Sequence, residues 1–214
     1  MIYWISLYVI RLLTKIYFRG KVYNKENLPK QGPYIGIINH NSFMDIPAMS
    51  LVIRSKVHTM AKESLFKVPI LGWWLKAVHM FPVIRDASDE PAFQHALEVL
   101  NKGEILFISP EGTRKRSDEN VRPRARTGFV RLAQHANCQV VPIAVSGTRK
   151  AMPPEAKFPR PVKIRVMAGK PISLEQIEVV KENKDILQQQ ATRVMDRVYD
   201  MLGQLERMDE TDAK

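Results

Sequence analysis

A single cysteine, Cys138, stands in the 214 residues. It can close no internal disulfide and supplies no cysteine-rich metal site, which suits a reducing compartment. Its place just before Val140 and Val141 is the setting of a buried structural thiol, not of a nucleophile. The H-E-x-x-H zinc pattern and the G-x-S-x-G nucleophile elbow are both missing, so no metalloprotease or α/β-hydrolase signature is present. There is no internal repeat and no linker long enough to divide the chain. Acid is also in short supply: 22 Asp and Glu face 33 Lys and Arg, a net charge of +11. Such a surface draws phosphate-bearing or acidic partners: nucleic acid, anionic lipid headgroups or an acidic carrier protein. No helix-turn-helix, zinc-finger or aromatic RNA-binding signature accompanies the charge, so nucleic acid is not expected.

With 45% hydrophobic and 26% charged residues the chain has the composition of one globular domain large enough to bury a core. Residues 2–18 form a 17-residue apolar stretch, short for a membrane span and carrying Arg11 and Lys15. On a helix, Trp4, Tyr8, Arg11, Lys15 and Arg19 fall on one stripe and Ile2, Ile5, Val9, Leu13 and Ile16 on the other side. That pattern predicts a helix lying in a membrane interface with its cations reaching for headgroups. The alternative is a helix packed on the domain core, and one helix can do some of each. No charged leader or small-residue cleavage site marks a cleaved signal peptide.

Beyond residue 20, turn chemistry at 26–33 leads into an apolar strand at 34–38, with further strands expected at 57–61, 80–84, 104–109, 139–146 and 162–168. Helical periodicity covers 64–77, 90–102, 126–137 and 183–207. The alternation predicts an α/β fold: a single domain with a central, mostly buried mixed sheet flanked by helices, plus the N-terminal amphipathic interfacial helix. The expected organisation is a membrane-interface helix at 1–20, the main domain at 21–207 and a frayed tail at 208–214.

The most informative segment is Asn39-His40-Asn41-Ser42-Phe43-Met44-Asp45. A histidine directly after a buried strand, on a turn of small polar residues, stands where a sheet edge exposes working side chains. Asp45 is far enough along for the chain to turn and bring its carboxylate to the ring. There it would fix the imidazole tautomer and leave the other nitrogen free to take a proton. This is the rear half of a Ser-His-Asp arrangement without the serine, which suits a substrate that brings its own hydroxyl. The bland alternative is a capping box, Ser42-x-x-Asp45, at the start of a helix from Ile46, with His40 structural. The two are compatible, since the cap could be what brings Asp45 into place. A second turn, Ser109-Pro110-Glu111-Gly112-Thr113-Arg114, also follows a buried strand. It opens a basic segment suited to reading a phosphate.

Taken together these segments resemble the lysophosphatidic acid acyltransferase (1-acylglycerol-3-phosphate O-acyltransferase) family of the glycerolipid acyltransferases. The first family motif matches Asn39, His40, Ser42 and Asp45, and the third matches Ser109 to Lys115. The second matches Phe81-Pro82-Val83-Ile84-Arg85 and the fourth Val140-Val141-Pro142-Ile143-Ala144. Lys62 resembles a lysine that members carry before the second motif. Ser109, Lys115 and Ile84 depart from the usual residues, none of them at the base or its carboxylate.

The resemblance implies an O-acyltransferase that moves a fatty acyl group from a thioester donor to lysophosphatidic acid, giving phosphatidic acid. His40 is then the general base and Asp45 its orienting partner. Lys62, Arg85, Glu111, Gly112, Thr113 and Arg114 form the acceptor site, with backbone amides near Gly112 or Asn41 as candidates for an oxyanion hole. No cofactor or metal is expected, since acyl-CoA or acyl carrier protein enters as substrate. The implied partners are a lyso-lipid acceptor, that donor and an anionic membrane surface at the cytoplasmic face of the cell membrane, held monotopically or peripherally. Rival readings are acylation of another lyso-lipid, such as a lyso-ornithine lipid, hydrolysis by water at His40, or a non-enzymatic membrane binder. His58, His79, His95 and His135 have no partner at informative spacing. Trp73 and Trp74 read most simply as core.

Overall fold

The computed structural model describes residues 1–84, 89–112, 123–153 and 155–212. In chain order the elements are α1 (Ile2–Ile16), β1 (Lys21–Tyr23), β2 (Tyr34–Ile38), α2 (Asp45–Met49), β3 (Val57–Lys62), α3 (Glu63–Phe66) and α4 (Pro69–Ala77). They continue with β4 (Met80–Val83), α5 (Glu90–Asn101), β5 (Ile105–Ile108), α6 (Gly128–Ala136), β6 (Gln139–Ser146), α7 (Thr148–Ala151), β7 (Arg165–Ala168) and α8 (Lys184–Asp212).

The strands make one seven-stranded sheet in the order β1-β7-β6-β2-β5-β3-β4, mixed as expected. Among the paired strands of the described residues, β6–β7 is the antiparallel pair, and β6, β2, β5, β3 and β4 all run the same way. Side chains of the central strands alternate between two cores, as the pleat requires. Ile35, Ile37, Leu106 and Val140 face α5, α6 and α8 on one side of the sheet. Tyr34, Ile38, Phe107 and Val141 face Phe18 and α2 on the other. Gly36 sits where the Phe107 ring of the neighbouring strand lies across β2, and a Cβ there would come within 2.4 Å of the ring. A glycine in the middle of a buried strand is therefore a packing requirement.

Helix α1 is amphipathic, but its cations are not all on the outer stripe. Tyr3, Leu7 and Thr14 face the domain and are buried, while Ile5, Val9, Leu12, Leu13 and Ile16 face outward. Arg11, expected to reach for headgroups, instead donates to the carbonyls of Ser50 (2.7 Å) and Ile53 just beyond α2. Carbonyls left unpaired at a helix end are strong acceptors for a guanidinium, and they outcompete solvent here. No helix among the described residues is long and apolar enough to cross a membrane.

The C-terminal segment also differs from expectation. In place of a frayed tail from 208, α8 continues to Asp212. The reason is electrostatic: Arg165 on β7 is fully buried (0% exposed) and pairs with Asp209 of that last stretch. A buried guanidinium needs a carboxylate, and this one holds the helix end in place.

Candidate active site

Because β2, β5, β3 and β4 are parallel neighbours, their C-terminal ends open on one edge of the sheet, where α/β proteins bind ligands. Asn39 and His40 follow β2, Ser109 to Gly112 follow β5, Lys62 ends β3 and Ile84 follows β4. Five of the eight residues expected to form the acceptor site and dyad, His40, Asp45, Lys62, Glu111 and Gly112, lie at this edge. Arg85, Thr113 and Arg114 lie outside the described residues.

The turn after β2 is fixed at both ends. The Asn39 side chain is fully buried, donating to the Val145 carbonyl (2.9 Å) and accepting from the Val145 amide (2.8 Å) on β6. Asp45, at the start of α2 and 4% exposed, carries three donors on one oxygen. These are the amides of Asn41 (2.8 Å) and Ser42 (2.9 Å), and His40 Nδ1 at 2.9 Å. Its other oxygen, Oδ1, is buried with no hydrogen-bond partner among the described residues. The reach back to the Ser42 amide is one half of a capping box. The cap and the dyad are thus the same carboxylate. With Nδ1–H donated to Asp45, the His40 tautomer leaves Nε2 bare and able to accept a proton. Ser42 is engaged elsewhere, its hydroxyl donating to the Met152 carbonyl at 3.0 Å.

Glu111 completes the turn. It is 6% exposed; Oε2 accepts the His40 amide at 3.0 Å and Oε1 accepts the Tyr199 hydroxyl at 2.7 Å. Tyr199 comes from α8 and was not singled out in the sequence. The available signal was a phenol on the buried, otherwise apolar stripe of that helix, since a buried hydroxyl calls for a partner. Gly112 has a φ of +72°, a left-handed backbone that favours glycine, and a Cβ there would lie 2.7 Å from Arg126 Nε. Of the amides near Asn41 and Gly112, these two themselves are engaged, Asn41 N–H by Asp45 and Gly112 N–H by the Ser109 carbonyl at 3.3 Å.

His40 opens on a cavity of about 530 Å³ whose wall is mainly apolar and runs from the underside of α1 to α6. Leu7, Trp74, Phe129 and Leu132 line it, with Lys62 and Arg126 as cations and Ser109 on the same wall. Trp74 is half-buried and donates Nε1–H to Ser6 of α1 (3.1 Å), whereas Trp73 is exposed. The cavity is a mainly apolar space whose lining also holds the His40 imidazole, the Asp45 carboxylate and cations, a combination suited to a lipid with a polar head. The remaining histidines stand apart from the His40–Asp45 pair. His58 and His79 stack on each other at 5.0 Å, and burial pushes both below the usual histidine range. Burial raises the Cys138 thiol to about 11, which makes it inert at neutral pH.

Comparison with known proteins agrees with this geometry. The model of the family described as Acyltransferase matches residues 19–146. The 1-acyl-sn-glycerol-3-phosphate acyltransferase of Bacillus subtilis is 34% identical over 128 residues, 59% of this chain and 62% of its own length. That of Saccharomyces cerevisiae is 33% identical over 194 residues, 86% of this chain and 60% of its own. The chain therefore spans about three-fifths of the length of these two relatives. Among solved structures, the 1-acyl-sn-glycerophosphate acyltransferase of Thermotoga maritima has the same fold. Its TM-score is 0.73 at 24% identity, over 94% of this chain and 79% of that one.

Proposed function

Since the chain belongs to the acyltransferase family, we propose that it moves a fatty acyl group from a thioester donor to the free hydroxyl of lysophosphatidic acid, giving phosphatidic acid. The observation that carries this reading is the His40 imidazole, held through Nδ1 by buried Asp45 at 2.9 Å and opening on the apolar cavity. His40 Nε2 takes the proton of the acceptor hydroxyl as that oxygen attacks the thioester carbonyl carbon. The tetrahedral adduct then expels the thiolate, and the proton held by His40 passes to the thiolate sulfur. Asp45 orients the ring and stabilises the imidazolium between these steps.

Lys62, with Arg85 and Arg114, binds the acceptor phosphate, so that the hydroxyl lies within reach of the base. Acyl-CoA and acyl carrier protein both supply the thioester. The outward apolar face of α1 rests on an anionic membrane at the cytoplasmic face, which lets a lipid acceptor enter without crossing water.

The test is an acyl-transfer assay that crosses both donors with lysophosphatidic acid, its dephosphorylated form and a lyso-ornithine lipid. The expected result is transfer to the phosphorylated acceptor in preference to the other two. His40→Ala should lower kcat by about 10²–10⁴-fold with the fold intact by circular dichroism. Asp45→Asn should reduce kcat more than it raises KM. A fully active His40→Ala variant would overturn the mechanism, and equal rates on phosphorylated and dephosphorylated acceptors would overturn the assigned acceptor.

A further inference from the structure

Three consecutive backbone amides at the catalytic turn are each bound by a carboxylate, but not by the same one. Asn41 and Ser42 donate to Asp45, which also holds the His40 ring. His40 itself donates to Glu111 Oε2 at 3.0 Å, and the other Glu111 oxygen accepts Tyr199 Oη–H at 2.7 Å. The ring is thus steered by Asp45 and the backbone beneath it by Glu111. Glu111 is buried, and a buried carboxylate keeps its orientation only while donors hold it. One of those donors arrives from α8, 88 residues further along the chain and beyond the 19–146 stretch that matches the family.

We propose that Tyr199 is a positioning residue for His40, acting through Glu111, so that α8 forms part of the catalytic apparatus. Building on the transfer reading above, this gives Glu111 a different task from contact with the acceptor. Its carboxylate bridges the helix and the turn, and it sets the height of the His40 backbone relative to the cavity. Removing the phenol oxygen takes a 2.7 Å donor from Glu111 Oε1 and loosens the carboxylate that grips the His40 amide. A base displaced by a fraction of an ångström still binds substrate near it but transfers protons less well. The effect therefore belongs in kcat, and it requires Glu111 to be present.

The experiment compares the full-length wild type with Tyr199→Phe, Glu111→Gln and the double variant. It uses steady-state acyl transfer to lysophosphatidic acid together with amide NMR of His40. Tyr199→Phe should lower kcat on the order of tenfold while leaving KM for donor and acceptor within about twofold. In the Glu111→Gln background the same substitution should change kcat little, because the path runs through the carboxylate. The His40 amide proton should shift upfield and exchange several-fold faster in Tyr199→Phe, with the thermal midpoint used to confirm a folded variant. An unmoved His40 amide overturns the proposal whatever the kinetics. So does an equal fold-loss in kcat from Tyr199→Phe with and without Glu111. A wild type that fails to acylate lysophosphatidic acid, yet shows the amide shift on Tyr199→Phe, keeps the positioning role and overturns the transfer reading alone.

Discussion

Helices α1 and α8 are both amphipathic, and both lie outside the stretch that matches the family, yet they turn their apolar faces in opposite directions. In α8, Leu187, Ala191, Val194, Met195, Val198, Leu202 and Leu205 are buried against the sheet and α6. In α1, the domain takes Tyr3, Leu7 and Thr14 and leaves Ile5, Val9, Leu12, Leu13 and Ile16 outside. Periodicity shows that a helix has a face to cover; it does not say what covers it. The polar groups of the two helices make the same point from the other side. Arg11 of α1 turns inward to carbonyls, and Tyr199 of α8 turns inward to Glu111.

The largest effect that would sharpen this contrast is on stability. Leu205 is 0% exposed, and Leu205→Ala should cost about 2–5 kcal/mol by urea unfolding. Leu13 is 57% exposed, and Leu13→Ala should fall within about 0.5 kcal/mol of wild type. Similar losses for the two would mean that the α1 face is packed in solution and the contrast is wrong. The reverse ordering is expected in vesicle sedimentation. Replacing Leu12, Leu13 and Ile16 together by Asp should weaken partition to anionic vesicles by at least about tenfold. The thermal midpoint should scarcely move, and unchanged sedimentation would remove α1 as the membrane contact.

The smallest effect is on pH dependence, and it belongs to the α1 end alone. Tyr3 stacks on His79 at 5.1 Å, and His79 stacks on His58. Burial lowers both histidines, more than the nearby Glu104 carboxylate raises them. The folded chain therefore binds fewer protons than the unfolded one around their ordinary pKa of about 6.5. Their contribution to stability is fully present above that value and is lost as pH falls through the lowered folded values. The thermal midpoint should accordingly be lower at pH 5.5 than at pH 7.5, and substituting His58 and His79 by Asn should flatten part of that slope. An unchanged slope would remove the imidazole pair as its cause.

What the sequence made legible was local. The strand at 139–146 is visible because an apolar run rich in Val and Ile lies between Asn137 and Gly147, and the structure has β6 there. The nearness of His40 and Asp45 could be inferred because the four residues between them are enough for one turn. The arrangement of strands could not be read, because β2 has two parallel neighbours, β5 and β6, that come far later in the chain. Arg11 was misplaced because a helical wheel knows nothing of the open carbonyls after α2. The helical end of α8 was missed for a similar reason. Asp209 reads as a solvated tail residue until the buried Arg165, on a strand 44 positions earlier by number (209 − 165), is placed beside it. Tyr199 carries a local signal and Glu111 stands out in its turn, but nothing local to either shows that the two meet across 88 positions.

The bridge from α8 to the His40 turn also orders events during biosynthesis. Chain order places His40, Asp45 and Glu111 well before Tyr199, so a growing chain holds the imidazole and both carboxylates before the phenol that Glu111 accepts. The apolar face of α1 emerges earlier still. A nascent chain therefore presents that face before the Tyr199 phenol reaches Glu111, and the contact between α8 and the turn is the last of these to form.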